Sequence, residues 1–305
     1  AIGGVKQRIT VMMADLRGFT SISENLAPEV VTDMLNHFLG EMTEVIMGYQ
    51  GTVIEFIGDA ILAVFGAPIV TDTSRGDAVA AAITMQNRMR KVNEYNEEHG
   101  YPHIEMGIGI HNGEVFLGNI GSEKMMRFNV IGQAVNLCSR IESYSVGGQV
   151  LVSKETMQEI TCPVGINKTF SVTTKGIASK VPVCEVIGIG GEYKCYVEKK
   201  EPDNLYEPKE PVDFCLFEIQ GKKVGKIPVM AQLIQCSMKR ARITFTEKSE
   251  IDVYANVEIK AISHGEEVFS NVYAKVIAKE GCSAMIYFTY TTKEFVEYIT
   301  DQIIA

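Results

Sequence analysis

At 305 residues, with 46% hydrophobic and 22% charged side chains, the chain has ordinary globular composition and the length for two domains, each able to bury its own core. A formal net charge of −9 argues against a nucleic-acid partner, because affinity for a phosphate backbone is supplied largely by Lys and Arg. The longest apolar run, from Ile57 to Val70, is too short to span a bilayer and has Asp59 inside it.

Strand-like and helix-like patterns alternate from about Arg8 to Gly188. ITVMMADL reads as an apolar strand and Pro28–Gly48 as a helix; TVIEFIGDAILAVFG reads as two antiparallel strands joined tightly at Gly58 and Asp59. A long helix over Arg75–Glu98, with Val79, Ile83, Met85 and Met89 apolar, stops at the breakers Gly100 and Pro102. The strand IEMGIGIHNGEVFLGNIG follows, then a helix beginning near Ala134, then the strand QVLVS. From Gly190 to Pro211 the chain is rich in charge, Gly and Pro without periodicity, which places a linker there and a boundary near residue 200. Beyond it ARITFT, DVYANVEIKAI, EVFSNVYAKVIAK and SAMIYFTYT alternate as half-exposed antiparallel strands do, predicting a small β-barrel closed by the helix KEFVEYITDQII.

Two carboxylates stand out. Asp15 ends an apolar strand and is followed by Leu16-Arg17-Gly18-Phe19-Thr20, while Asp59 sits at the hairpin tip. Magnesium takes oxygen ligands and needs only one or two protein carboxylates when phosphates supply the rest, so two Asp suffice. Gly18 would let backbone N–H groups approach a polyphosphate. Either motif alone is equally well read as a turn.

Taken together, ADLRGFTSISE and EFIGDAILAVFGAP resemble the class III adenylyl and guanylyl cyclase family over roughly residues 8–190. The resemblance implies an α+β fold with a ferredoxin-like βαββαβ core. It implies that Asp15 and Asp59 each bind both of two Mg2+ (or Mn2+) ions, with the Leu16 carbonyl as a further ligand and Gly18, Phe19 and Thr20 at the phosphates. The ions would activate the ribose 3′-hydroxyl for in-line attack on the α-phosphorus, giving a 3′,5′-cyclic monophosphate and pyrophosphate. In VIGQAVNLCSRIES, Asn136 and Arg140 lie four apart on one helix face; the family assigns the first to the ribose and the second to charge building on the α-phosphate. A lysine for the terminal phosphates is matched by Lys175, with Lys180 as competitor.

Base choice in the family falls on the positions of Glu55 and Asn129. A carboxylate only accepts, and guanine offers two adjacent donors where adenine presents a bare acceptor, so Glu55 favours GTP; Asn129 can serve either base, and ATP stays the alternative. The family also pairs two domains head to tail, so a homodimer with two shared sites is expected, Asp15 and Asp59 from one protomer and Glu55, Asn129, Asn136, Arg140 and Lys175 from the other. A catalytically silent dimerising module is the competing class of function, opposed by the presence of Asp15, Asp59, Asn136 and Arg140 together. The expected domains are 1–195 for the cyclase, 196–210 as linker and 211–305 for the barrel. That barrel weakly resembles PilZ domains but lacks their ligand motifs: Ser237 is kept, Gln235 and Arg240 replace the flanking residues, and no paired arginines precede them. A packing or regulatory role follows. Seven cysteines without CxxC pairs fit a reducing cytoplasm, and the start at Ala1 without a leader reads as a fragment whose sensor region lies upstream, the whole being cytoplasmic or the cytoplasmic part of a membrane-anchored receptor.

Overall fold

The computed structural model describes residues 4–122, 124–173, 180–198, 203–220 and 223–303. The chain divides into two compact units, one of Ala1–Phe19 with Ser23–Lys199, the other of Thr20–Ile22 with Lys200–Ala305.

In the first unit β1 (Gly4–Leu16), α2 (Pro28–Gly48), β2 (Thr52–Ile57), β3 (Ala60–Phe65), α3 (Ser74–Glu98) and β4 (Met106–Ser122) form the ferredoxin-like core, with the short α1 (Phe19–Glu24) between β1 and α2 along the chain. Its strands run β2-β3-β1-β4 with every neighbouring pair antiparallel. β5 (Met125–Ile131) folds back on β4, then α4 (Gln133–Ser143), β6 (Val150–Ser153), α5 (Lys154–Gln158), β7 (Val164–Val172) and β8 (Val181–Ile189) extend the sheet, β6 lying parallel to β4. Side chains alternate along a strand, so β1 serves two layers. Ile9, Val11 and Met13 join Leu62, Val64 and Val115 under Ala134 and Cys138 of α4, whereas the Thr10 hydroxyl on the other face lies 3.5 Å from that of Ser74 in α3.

α4 approaches the sheet so closely that β4 must carry glycine beneath it. A Cβ at Gly109 would fall 2.5 Å from the Glu142 backbone nitrogen and 2.8 Å from the Cys138 carbonyl oxygen. Gly109→Ala is therefore expected to push α4 outward and destabilise the protein by about 1–3 kcal/mol, read as a lowered melting temperature together with reduced turnover.

After β8, the segment Cys195–Tyr196 pairs with it as β9. Tyr193 donates its hydroxyl to Asp77 at 2.8 Å, and Asn87 donates to the Tyr196 carbonyl (2.8 Å) and accepts from the Glu198 N–H (2.9 Å). The stretch read from sequence as loose from Gly190 onward is thus seated on α3 as far as Glu198.

The second unit holds β10 (Asp213–Gln220), β11 (Lys223–Val224), β12 (Val229–Cys236), β13 (Arg240–Phe245), β14 (Asn256–Ser263), β15 (Glu266–Glu280), β16 (Ser283–Tyr290) and α6 (Lys293–Ile303). The order β10-β12-β13-β16-β15-β14 closes because β14 pairs back on β10, giving a six-stranded antiparallel barrel without a free edge in its wall. Phe214, Ile243, Ile259 and Ile286 fill it, and α6 adds Phe295 and Ile299, with the Phe295 ring edge-on to Phe269 and Phe288. The Ser237 hydroxyl accepts from the backbone N–H groups of Lys239 and Arg240, and the Arg240 guanidinium bonds Asp203 at 2.6 Å, so both side chains are engaged within the barrel unit. Among the described residues no helix is long and apolar enough to cross a membrane.

Candidate active site

β1 carries Asp15 to the end of the sheet, on the face that α4 covers, and the β2–β3 turn carries Asp59. The two carboxyl groups meet in a hydrogen bond, and burial, reinforced by the Asp15 charge, pushes Asp59 up to about 7. Nearby Arg17 works in the other direction without outweighing them. Two ionised carboxylates cannot share a hydrogen bond, so the pair must hold a proton or a cation between them. Among the described residues no group of three or more His, Cys, Asp or Glu is placed to hold a metal. A pair of carboxylates offering only oxygen suits Mg2+ or Mn2+, which complete their shells with phosphate and water, and does not suit zinc, which favours nitrogen and sulfur.

Arg17, which sequence reasoning did not single out, lies directly behind this pair. It is buried, donates to Asp15 Oδ2 at 3.1 Å and to the Ser145 carbonyl at 3.4 Å, and forms an ion pair with the buried Glu142 of α4. Burial lowers its pKa while the charges of Asp15 and Asp59 oppose that shift. No local pattern marked it: its second carboxylate lies 125 residues away in sequence. Gly18 follows at φ +65, a left-handed conformation that Gly adopts without strain, and turns the chain into α1, where Phe19 is buried and Thr20 exposed. Leu16 packs its side chain in the core.

On α4, Ala134, Cys138, Ile141 and Glu142 face the sheet. Cys138 fixes the helix by donating its Sγ–H toward the carbonyls of Val11 and Gly109, both at 3.2 Å. Asn136 is exposed and Arg140 half-buried, one turn apart on the side of α4 turned away from the sheet.

Glu55 on β2 and Asn129 on β5 lie on strands that approach each other without pairing, since β2 pairs with β3 and β5 with β4, and a second unforeseen residue joins them. Arg127, two positions before Asn129 and hence on its face of β5, brings its Nη1 to 3.9 Å from Glu55 Oε1. Asn129 Oδ1 accepts from the Val130 N–H at 2.7 Å, which uses one of its two acceptor positions. Lys175 lies outside the described residues; Lys180 is exposed just before β8.

Residues 4–197 match the model of the adenylate and guanylate cyclase catalytic domain. The solved guanylyl cyclase Cya2 is 43% identical, with a TM-score of 0.63 over 65% of this chain and 100% of that one. The solved adenylyl cyclase CyaB from P. aeruginosa is 32% identical, with a TM-score of 0.57 over 61% of this chain and 96% of its own. Among curated relatives, an adenylate cyclase of Anabaena cylindrica is 34% identical over 59% of this chain and 37% of its own length. Adenylate cyclase 1 of Rhizobium meliloti is 28% identical over 60% of this chain and 28% of its own. The chain thus spans well under half the length of these curated relatives. With a family model covering most of the chain and a carboxylate pair at the end of its ferredoxin-like sheet, this protein belongs to the adenylate and guanylate cyclase catalytic domain family.

Proposed function

We propose that this protein is a homodimeric nucleotide cyclase that converts GTP to its 3′,5′-cyclic monophosphate and pyrophosphate. The feature that carries the choice of base is Glu55, a carboxylate that only accepts, on a strand that approaches the β5 of Asn129. Asn129 Oδ1 accepts from the Val130 N–H and keeps a second lone pair beside its NH2 donors, so Asn129 can serve either base. The Glu55 carboxylate supplies acceptors for the two guanine donors, with Arg127 Nη1 3.9 Å away to hold it in place. The similarity to Cya2, named a guanylyl cyclase, points the same way, while CyaB and the curated relatives are named adenylate cyclases. A solved guanylate cyclase domain from Catenaria anguillulae, 26% identical, is described in complex with GTP.

In this reading Asp15 and Asp59 hold two Mg2+ or Mn2+ ions, which when bound lower the pKa of the attacking 3′-hydroxyl and neutralise the triphosphate. The Gly18 turn brings backbone N–H groups toward the phosphates, with Phe19 anchoring it in the core and Thr20 at its exposed side. Arg140 donates to the α-phosphate oxygens as charge builds there, and Asn136 orients the ribose. Asn136 and Arg140 leave α4 on the side away from the sheet, and in this reading the two halves of a site come from different protomers. Support for that pairing lies in the β4–β5 arm and the adjoining β2. Phe116, Met125, Met126, Phe128 and Ile131 are all at least 42% exposed, and Phe56 and Ile57 join them, an apolar surface of the kind that marks an interface.

Incubating the protein with GTP and ATP separately in Mn2+ and resolving the cyclic products is the direct test. GTP is expected to exceed ATP in kcat/KM by about 10–100-fold, the consequence of roughly 1–3 kcal/mol for a mispaired buried acceptor. Glu55→Lys should remove most of that margin, and Arg127→Gln should narrow it. A wild-type preference for ATP would overturn the GTP assignment and leave the cyclase reading intact.

A further inference from the structure

We propose that Arg17 is a positioning residue that couples the metal-binding end of β1 to α4, the helix of Asn136 and Arg140, acting through Glu142. The inference rests on the cyclase reading of those two groups and extends it. One guanidinium reaches Asp15 Oδ2, the Ser145 carbonyl and the Glu142 carboxylate, and it is 8% exposed, as is the Glu142 side chain. Its Nη2 serves both carboxylates and its Nη1 the Ser145 carbonyl, while Nε has no partner among the described residues, so the guanidinium is held there at the cost of one unmet donor. The space is built for it: Asp15 stands opposite Gly107 on β4, where a Cβ would fall 3.2 Å from the Arg17 Cζ and would collide with the Ser145 hydroxyl.

Charge decides what this arrangement does. Glu142 is buried and has Arg17 as its cation, so separating the two would strand a charge, and α4 therefore follows the guanidinium. Asp15 divides its own charge between Arg17 and whatever cation faces Asp59. Glu142 draws Arg17 away from Asp15 and keeps that carboxylate available; without the Glu142 charge, Arg17 pairs fully with Asp15 and competes with divalent ions. Glu142 is two residues from Arg140 in a helix held to the sheet by Cys138, so the position of the guanidinium is passed to Arg140. In a head-to-tail dimer Asp15 belongs to one site and Arg140 to the other, and Arg17 then links the two.

The test uses the full chain with Glu142→Gln and Arg17→Lys. Each keeps the shape, the first removing the charge and the second keeping it but losing the fork; thermal melts verify folding. Mn2+ binding is read by electron paramagnetic resonance with a 3′-deoxynucleoside triphosphate of either purine, which cannot cyclise. Mn2+ affinity is expected to fall about 10-fold in either variant, although Glu142 does not touch the ions, and the double variant should be no worse than the weaker single. A folded Glu142→Gln or Arg17→Lys protein with Mn2+ affinity within twofold of wild type would overturn the proposal. A second arm uses mixed dimers of an Asp59→Asn chain and an Asn136→Ala chain, in which the former lends its helix and the latter its carboxylates. Arg17→Lys should lower turnover about 10-fold when placed in either chain; loss confined to the carboxylate-lending chain would overturn the coupling to α4. If the unsubstituted mixture recovers no turnover, the shared-site reading fails, and the Mn2+ arm still decides the role of Arg17.

Discussion

Asp59→Asn is expected to lower turnover by at least about 1000-fold while raising the melting temperature of the metal-free protein. Both effects have one cause. The carboxyl groups of Asp15 and Asp59 are hydrogen-bonded and partly buried together, which is favourable only with a proton or cation between them. Removing one carboxylate takes away a cation site, and losing the transition-state stabilisation that metal ions provide, several kcal/mol, corresponds to about three powers of ten in rate. It also takes away the repulsion, so the apo fold gains. The pH dependence follows with a definite sign. Asp59 titrates near 7 when folded against 3.8 as its ordinary value, so the folded state holds the extra proton between those limits. Stability of the metal-free protein is therefore greatest at low pH within this window and declines as pH rises through about 7. In Asp59→Asn that decline should vanish, and in the wild type Mg2+ or Mn2+ should cancel it at pH 8. Melting curves at pH 5 and pH 8, with chelator and with metal, read all three. A variant that retains turnover within tenfold of wild type would remove Asp59 from the metal site.

Mixing inactive Asp59→Asn protein with inactive Asn136→Ala protein is expected to restore about a quarter of wild-type turnover. Random exchange makes about half of the dimers mixed, and each mixed dimer has one intact site of two. The physical basis is the direction of α4: its buried face grips β1 and β4, which turns Asn136 and Arg140 away from the sheet of their own chain. Turnover per chain should also fall on dilution as dimers dissociate. Activity that is linear in concentration, with no recovery on mixing, would mean that each chain completes its own site.

Local chemistry made much of the first unit legible. The hairpin of β2 and β3 follows from two apolar runs around Gly58-Asp59, and α2 and α3 follow from apolar periodicity and breakers that act within a few residues. β5, β10 and β12 were harder to see. β5 opens on Met-Met-Arg-Phe-Asn, five positions that are all at least partly exposed, and buries only Val130, so it lacks the apolar alternation of a half-buried strand. In β10 and β12 the run DFCLFEIQ and the run VMAQLIQC blur that alternation.

The candidate site divides in the same way. Asp15, Asp59, Asn136, Arg140, Glu55 and Asn129 are legible because each sits in a short motif whose chemistry is carried by adjacent residues. Arg17 and Arg127 are not, since nothing near them in sequence shows what they touch; their carboxylates arrive from Glu142 and Glu55 by way of the sheet. The chain by itself determined its elements, its carboxylate pair and its family, all of which depend on residues close together along the backbone. Only the tertiary structure decided that β14 returns to close the barrel on β10, that Arg127 comes beside Glu55, and that one buried guanidinium joins β1 to α4. Those are long-range pairings, and their energies come from burial and charge that exist only once distant segments have been brought together.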